Sequence, residues 1–291
     1  MVLADAASPI PRPSALAAHV VDTLIEERAP KLAASPIWPL IRPPLYALLD
    51  YSKARRMADA IAGMGGREAL EYCAALLALK VEARFLERIP PAGRLVVIVN
   101  HPTGVADGMA VYEALKRLRP DLLFYANSDA HRVCPGFAET LIPVEWVAAK
   151  RTRERTRLTL SRTREAMEAG RALVIFPAGR IARRRGGRTE DPAWAPTACS
   201  VARKYHAPIL PVRLSGPAPV LFHLFDRMSD ELRDVTLFHE LLNKRGRRFE
   251  LVVGPPIDPG QLPQDAAEAS ARLKVYIERE LGNDPERAQP C

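Results

Sequence analysis

The chain is predicted to be an α/β protein, a mixed and largely parallel sheet flanked by helices and preceded by a helical extension. Two observations carry this. Short apolar stretches of strand length recur at 94–100, 171–176 and 208–214, and each stops abruptly at a polar residue, a proline or a glycine. Longer segments of helical length alternate with them, and strand alternating with helix means parallel strands covered on both faces.

The elements follow in order. Residues 1–14 are rich in Ala and Pro and are expected to be disordered. Residues 15–28 and 45–79 read as helices, interrupted by Pro36, Pro39, Pro43 and Pro44, because proline lacks the N–H a helix interior needs. Trp38, Leu40, Ile41, Leu45, Tyr46 and Leu49 form a local apolar cluster. It suits either packing onto the core or an interfacial anchor, since Trp and Tyr favour the headgroup region of a bilayer. The α/β part starts near Val81, with strands expected at 81–86, 94–100, 122–127, 171–176, 208–214 and 248–253. Helices are expected at 106–118, 152–169, 197–206, 228–243 and 265–281. The polar tail after Gly282 is expected to fray. The division is therefore an N-terminal lead and extension over 1–79, an α/β domain over 80–282, and a flexible tail over 283–291. There is no internal repeat and no glycine-rich dinucleotide fingerprint.

Charge narrows the partners. The net charge of +8 attracts nucleic acids, anionic lipid surfaces or phosphorylated substrates. One basic run holds Lys150, Arg151, Arg153, Arg155, Arg157, Arg162 and Arg164; a second holds Arg180, Arg183, Arg184, Arg185 and Arg188. Only 6% of residues are aromatic and no recognised nucleic-acid module is present, so no nucleic-acid partner is expected. Cys73, Cys134, Cys199 and Cys291 are widely spaced, which argues against a zinc site or a disulfide scaffold and suits a reducing cytoplasm. The N-terminus lacks a signal-peptide pattern, and no apolar stretch approaches 18 residues, so no spanning helix is expected.

The chemistry is expected at strand ends, where α/β sheets place it. Leu95–Val99 gives way to Asn100, His101 and Pro102, with Asp107 six residues after the histidine. A carboxylate near an imidazole fixes its tautomer and stabilises the imidazolium, which suits general-base work. A second apolar run ends in Phe176-Pro177-Ala178-Gly179, followed by Arg180. Gly179 lets the backbone approach a substrate closely, so N–H donors of this turn suit an oxyanion hole. Arg180 and Arg183 are candidates to grip a phosphate or carboxylate. Arg184, Arg185 and Arg188 fit a solvated loop better. Asn127-Ser128 ends another strand and is a candidate lining of the same cleft. His131, His206, His223 and His239 have no chemical context and read as structural, and Cys134 has no evident histidine partner.

Three segments in this order, with Ala207-Pro208-Ile209-Leu210-Pro211-Val212 as the third, resemble the glycerolipid or lysophospholipid acyltransferase superfamily. The match is closer to its hemolysin-like and ornithine-lipid acyltransferase branch, whose first block reads N-H-P-x-G-x-x-D-G and whose third reads F-P-A-G. The resemblance spans roughly residues 70–257. The chain departs from the family patterns in four places. Five residues separate His101 from Asp107 where four are common, Ala178 stands at the acid of F-P-E-G, Arg180 stands where the branch often has Glu after F-P-A-G, and Ile181 falls at the superfamily's arginine. The resemblance implies transfer of a fatty acyl group from acyl-coenzyme A or acyl-carrier protein to the hydroxyl or amine of a lipid acceptor. His101 would be the base, Asp107 its orienter, and the Gly179 block would lie near the acceptor. The thioester is a co-substrate, and no metal or tightly held cofactor is implied. Such an enzyme is expected in the cytoplasm, peripheral on the inner face of an anionic membrane. The alternative is a non-catalytic lipid-binding relative, with Ala178 and Arg180 as its support.

Overall fold

The computed structural model describes residues 18–145, 152–185 and 188–286. The lead over 1–14, Lys150 and Arg151 of the first basic run, and the last five residues with Cys291 lie outside these described residues.

Strand burial follows sheet position. The strands are β1 (Lys80–Arg84), β2 (Leu95–Val99), β3 (Leu123–Asn127), β4 (Leu141–Val144), β5 (Ala172–Ile175), β6 (Arg183–Arg185), β7 (Arg188–Glu190), β8 (Ile209–Ser215) and β9 (Arg248–Val253). Seven of them form one sheet in the order β1-β9-β8-β2-β5-β3-β4, with β2 at its centre. A central parallel strand is covered on both faces, so β2 is apolar and buried at all five positions. β1 is an edge strand, and its Lys80, Glu82 and Arg84 point to solvent. Within this sheet all pairings are parallel except β8 with β9. β8, β2, β5, β3 and β4 therefore share one carboxyl edge, as the sequence pattern predicts.

Alternate residues of β2 feed two cores. Leu95, Val97 and Val99 pack into one, and Val96 and Ile98 into the other. The first lies under the N-terminal helices, α1 (Val20–Arg28), α2 (Pro30–Ala33), α3 (Trp38–Leu48), α4 (Tyr51–Ile61) and α5 (Gly66–Leu77), together with α6 (Val105–Leu115). The short helices α7 (Asp129–Val133), α10 (Val220–Asp226), α11 (Asp230–Asp234) and α12 (Leu237–Leu242) contribute to the same side. The second core is covered by α8 (Arg153–Glu168), α9 (Thr197–Lys204) and α13 (Ala266–Val275). At the amino edge, the fully buried Arg119 donates to the carbonyls of Pro90 (3.0 Å) and Gly93 (2.8 Å) and to both oxygens of Asp121. It thereby ties the approaches to β2 and β3 together.

Five expectations need correction. α3 runs through Pro43 and Pro44 instead of breaking there. Both prolines are exposed, as are Pro39 and Leu40, whose carbonyls lose their helical partners, so water can replace the missing bonds. The cluster around Trp38 divides: Trp38, Leu45, Tyr46 and Leu49 are buried, whereas Leu40 is 77% exposed. The helix expected over 228–243 is in pieces. Ser229 is extended, and the Thr236 hydroxyl donates back to the Arg233 carbonyl at 2.7 Å, ending α11. β4 is a strand beyond those expected, and its Pro143 is tolerated because β4 lies at the edge of the sheet. The second arginine run, expected as a loop, contains the antiparallel pair β6–β7. Among the described residues no helix is long and apolar enough to cross a membrane.

Candidate functional site

The site begins where β2 ends. Asn100 is buried, and its side-chain amide takes over from the backbone ladder. It donates to the Leu214 carbonyl (2.9 Å) and accepts the Leu214 N–H (2.7 Å), fastening β2 to β8. The chain then turns through His101–Gly104 into α6. Gly104 has φ +102°, a conformation that favours glycine, and a Cβ there would sit 2.8 Å from Ile181 Cδ1 and displace the tip of that side chain.

Asp107 lies in the first turn of α6 and is completely buried. Its carboxylate accepts the N–H groups of Thr103 (2.9 Å) and Gly104 (3.1 Å) and the Thr103 hydroxyl (2.5 Å). His101 Nδ1 is the fourth partner, at 2.9 Å. The extra residue between His101 and Asp107 is absorbed by a turn whose amides wrap the carboxylate. An acid in the first helical turn is also favoured by the helix dipole. An ionised carboxylate can only accept, so Nδ1 carries the proton and Nε2 presents its lone pair. The imidazole lies beside the Phe176 ring, with centroids 4.7 Å apart, and is 17% exposed, enough to reach a substrate.

The backbone of His101 is held as well. Its N–H points at both oxygens of Asp191 (3.2 and 3.1 Å), and its carbonyl accepts the Ala182 N–H (2.9 Å). Asp191 is buried, accepts the Trp194 indole N–H at 2.9 Å, and donates its own N–H to Glu278 (2.8 Å). Burial pushes its carboxyl up to about 7, against the opposing pull of His101 and the indole hydrogen bond.

The Phe-Pro-Ala-Gly turn follows β5, the neighbour of β2. Gly179 has φ +59°, and its N–H donates to the Phe176 carbonyl at 3.0 Å. It therefore shapes the turn and is not itself a free donor for an oxyanion. The N–H groups of Ala178 and Arg180 have no intramolecular hydrogen bond among the described residues. Arg180 is exposed and has no ion pair there. Arg183 is half-buried and stands 3.8 Å from Asp226 of α10, so its charge is partly met. Asn127 and Ser128 lie at the end of β3, with β5 between them and β2. The Asn127 side chain accepts the Asp129 N–H at 2.8 Å, an Asx turn into α7, and no hydrogen bond joins either residue to His101.

Other candidates lie elsewhere. Burial lowers His131 and His223, favouring neutral rings, and His19 caps α1. Burial lifts the Cys73 thiol to about 12 and that of Cys199 to about 11, which makes them poor nucleophiles. A groove of about 750 Å³ runs along α8, lined by Arg153, Arg157, Leu160, Arg164, Lys204 and Tyr205 among others, apart from the histidine. Sequence reasoning missed Thr103, Phe176, Asp191 and Trp194 as parts of the site. The one signal for the last pair was an acid and an indole three residues apart at the end of an arginine-rich stretch.

With this geometry established, comparison with known proteins is informative. The family model described as Acyltransferase matches residues 80–215, from β1 to the end of β8. A lyso-glycine lipid O-acyltransferase of Phocaeicola vulgatus is 27% identical over 198 residues, 66% of this chain and 69% of that protein. A protein of the same description from Bacteroides thetaiotaomicron is 24% identical over 218 residues, 73% of this chain and 78% of that one. The crystal structure of the 1-acyl-sn-glycerophosphate acyltransferase PlsC from Thermotoga maritima aligns with a TM-score of 0.49 and 14% identity, covering 91% of this chain and all of that one.

Proposed function

We propose that this chain is an acyltransferase of the glycerolipid superfamily and that it moves a fatty acyl group from a thioester to the hydroxyl of a lysolipid. The observation that carries this is the 2.9 Å contact between His101 Nδ1 and the fully buried Asp107 at the carboxyl edge of the sheet. In this reading Nε2 takes the acceptor's proton as its oxygen attacks the thioester carbonyl. The C–S bond then breaks, and the imidazolium returns the proton to the departing thiolate. Asp107 holds the tautomer and stabilises the imidazolium. The backbone N–H groups of Ala178 and Arg180 serve the developing oxyanion.

The donor in this reading is acyl-coenzyme A or acyl-carrier protein, whose phosphates suit the basic surface. For the acceptor, the names of the two relatives support a hydroxyl on a lyso-amino-lipid over an amine. The enzyme would sit peripherally on an anionic inner membrane face. Val105 beside the catalytic turn, and Val220, Leu224 and Met228 on and beside α10, are large exposed apolar side chains on segments that leave the carboxyl edge.

The test is purified protein with acyl-coenzyme A or acyl-carrier protein against a panel of lysolipids and amino-lipids, read by mass. A new ester on a lysolipid is expected. A new amide alone would reverse the assignment of the acceptor, and no transfer from either donor would leave the non-catalytic reading.

A further inference from the structure

We propose that Asp191 is a positioning residue of this reaction: its buried carboxylate fixes the peptide of His101 and supplies a second negative charge facing the imidazole. The proposal rests on His101 being the base. A carboxylate taken out of water costs several kcal/mol unless charge and hydrogen bonds compensate. The other acids at buried ion clusters have a cation: Glu240 has Lys244, Asp121 has Arg119, and Asp226 has Arg233. Asp107 and Asp191 have neither lysine nor arginine as partner among the described residues, and both converge on His101.

The groups facing Asp191 come from three segments. His101 comes from the turn after β2. Trp194 lies on its own stretch, where the neighbouring Glu190 pairs with Arg279 (3.0 Å). Glu278 lies on the π-helical turn Tyr276–Glu280 that follows α13, and it pairs with Lys274 (2.6 Å). The cation of that last pair is already used, and Glu278 presents an oxygen to the Asp191 N–H. The compensating positive charge left to Asp191 is the one His101 gains when it takes a proton. Ala182 and Asp191 also bracket the β6–β7 pair, so that pair is rooted at both ends on the backbone of one residue, His101.

The consequence is a coupled titration, in which the apparent values belong to the pair. With Asp191 ionised, the imidazolium is stabilised and His101 is the stronger base. Asp191→Asn keeps the shape and an oxygen for the His101 N–H but removes the charge. It is expected to lower kcat about tenfold, to leave both KM values within twofold, and to move the acid limb of kcat/KM to lower pH. Trp194→Phe removes a donor that favours the ionised carboxylate, so less charge stabilises the imidazolium and its acid limb should move the same way, to lower pH, by a smaller amount. Shifts to lower pH in both variants, larger in Asp191→Asn, would support the proposal. Limbs that stay put in both variants, with only a loss of amplitude or stability, would overturn it and leave Asp191 as a structural anchor. If Asp191→Asn does not fold, the direction in Trp194→Phe decides alone. If the parent protein transfers no acyl group, the functional reading fails by itself. The midpoint of the His101 ring-proton signal against pH, followed by NMR, then still tests the coupling and should fall in Asp191→Asn.

Discussion

At the amino edge of the sheet, Arg119 is fully buried and its guanidinium is consumed by three carbonyls and the Asp121 carboxylate. Burial acts to raise Asp121, and the hydrogen bond and charge of Arg119 outweigh it, holding the carboxyl below its ordinary range. At the carboxyl edge, Asp107 is as deeply buried and as well satisfied, but one of its four partners is a histidine whose second nitrogen is left over. Beside it, Asp191 rises to about 7. Both edges bury charge. One cluster is closed, with every strong donor used, and the other ends in a group that can take up a proton. Open valences of this kind are where a fold departs from its own stability rules, and they point to chemistry.

The sharpest way to break this contrast is a crossed pair of substitutions. His101→Ala is expected to lower acyl transfer by at least ~100-fold while the melting curve barely moves. Arg119→Ala should do the reverse, costing roughly 2–3 kcal/mol of stability by leaving the Pro90 and Gly93 carbonyls without their donor and Asp121 without its cation. Turnover and denaturant curves measured on both proteins check it, and a His101→Ala protein that unfolds as readily as Arg119→Ala would erase the distinction. Next comes Asp107→Asn, which should reduce turnover by less than His101→Ala because the base survives in the wrong tautomer. Equal turnover in Asp107→Asn and the parent would show that the carboxylate only ends the turn. Arg180→Lys should raise one KM by roughly ten- to a hundred-fold, at ~1.5–3 kcal/mol for a charge-assisted bond, while sparing kcat. Separate saturation curves for donor and acceptor would identify which substrate it holds, and unchanged constants would make it plain surface charge.

The smallest effect is a difference in sign. Asp191 has a raised folded-state value, so the native protein binds that proton more tightly than the unfolded chain. Its contribution to stability therefore falls as pH climbs from its ordinary value of 3.8 to about 7. Asp121 is depressed, so its contribution is present above its ordinary value and is lost as pH falls through the folded one. Denaturant midpoints between pH 4 and 8 should show Asp191→Asn gaining relative to the parent as pH rises. Below pH 4, Asp121→Asn should lose the acid sensitivity that the parent shows.

What the chain discloses before folding follows from the same physics. β2, β5 and β8 are central and buried on both faces, so unbroken apolar runs mark them. His101 and Asp107 share one turn, so spacing alone brings them together. Asp191 is ninety residues from His101, and it addresses a backbone N–H, which carries no sequence signature. Gly179 was recognisable as a turn residue, but that its N–H is engaged by Phe176 depends on turn geometry. The breaks between α10, α11 and α12 depend on an extended Ser229 and a back-bonded Thr236, local competitions that periodicity does not register. α3 survives Pro43 and Pro44 because its orphaned carbonyls face water, a fact of placement and not of propensity.

The sheet order has a consequence for biosynthesis. Lys80 of β1 pairs with Arg248 of β9, 168 positions later, and β1 has no other neighbour in the sheet. At ordinary translation rates of about 5–20 residues per second, the first strand waits roughly 10–30 s on the ribosome for its partner. Contacts of such separation also make for slow closure of the native topology. Lys80, Glu82 and Arg84 alternate along the waiting strand, placing charges where a neighbouring nascent chain would otherwise add itself. Glu278 joins Asp191 later still, so the surroundings of His101 are complete only after nearly the whole described chain has emerged.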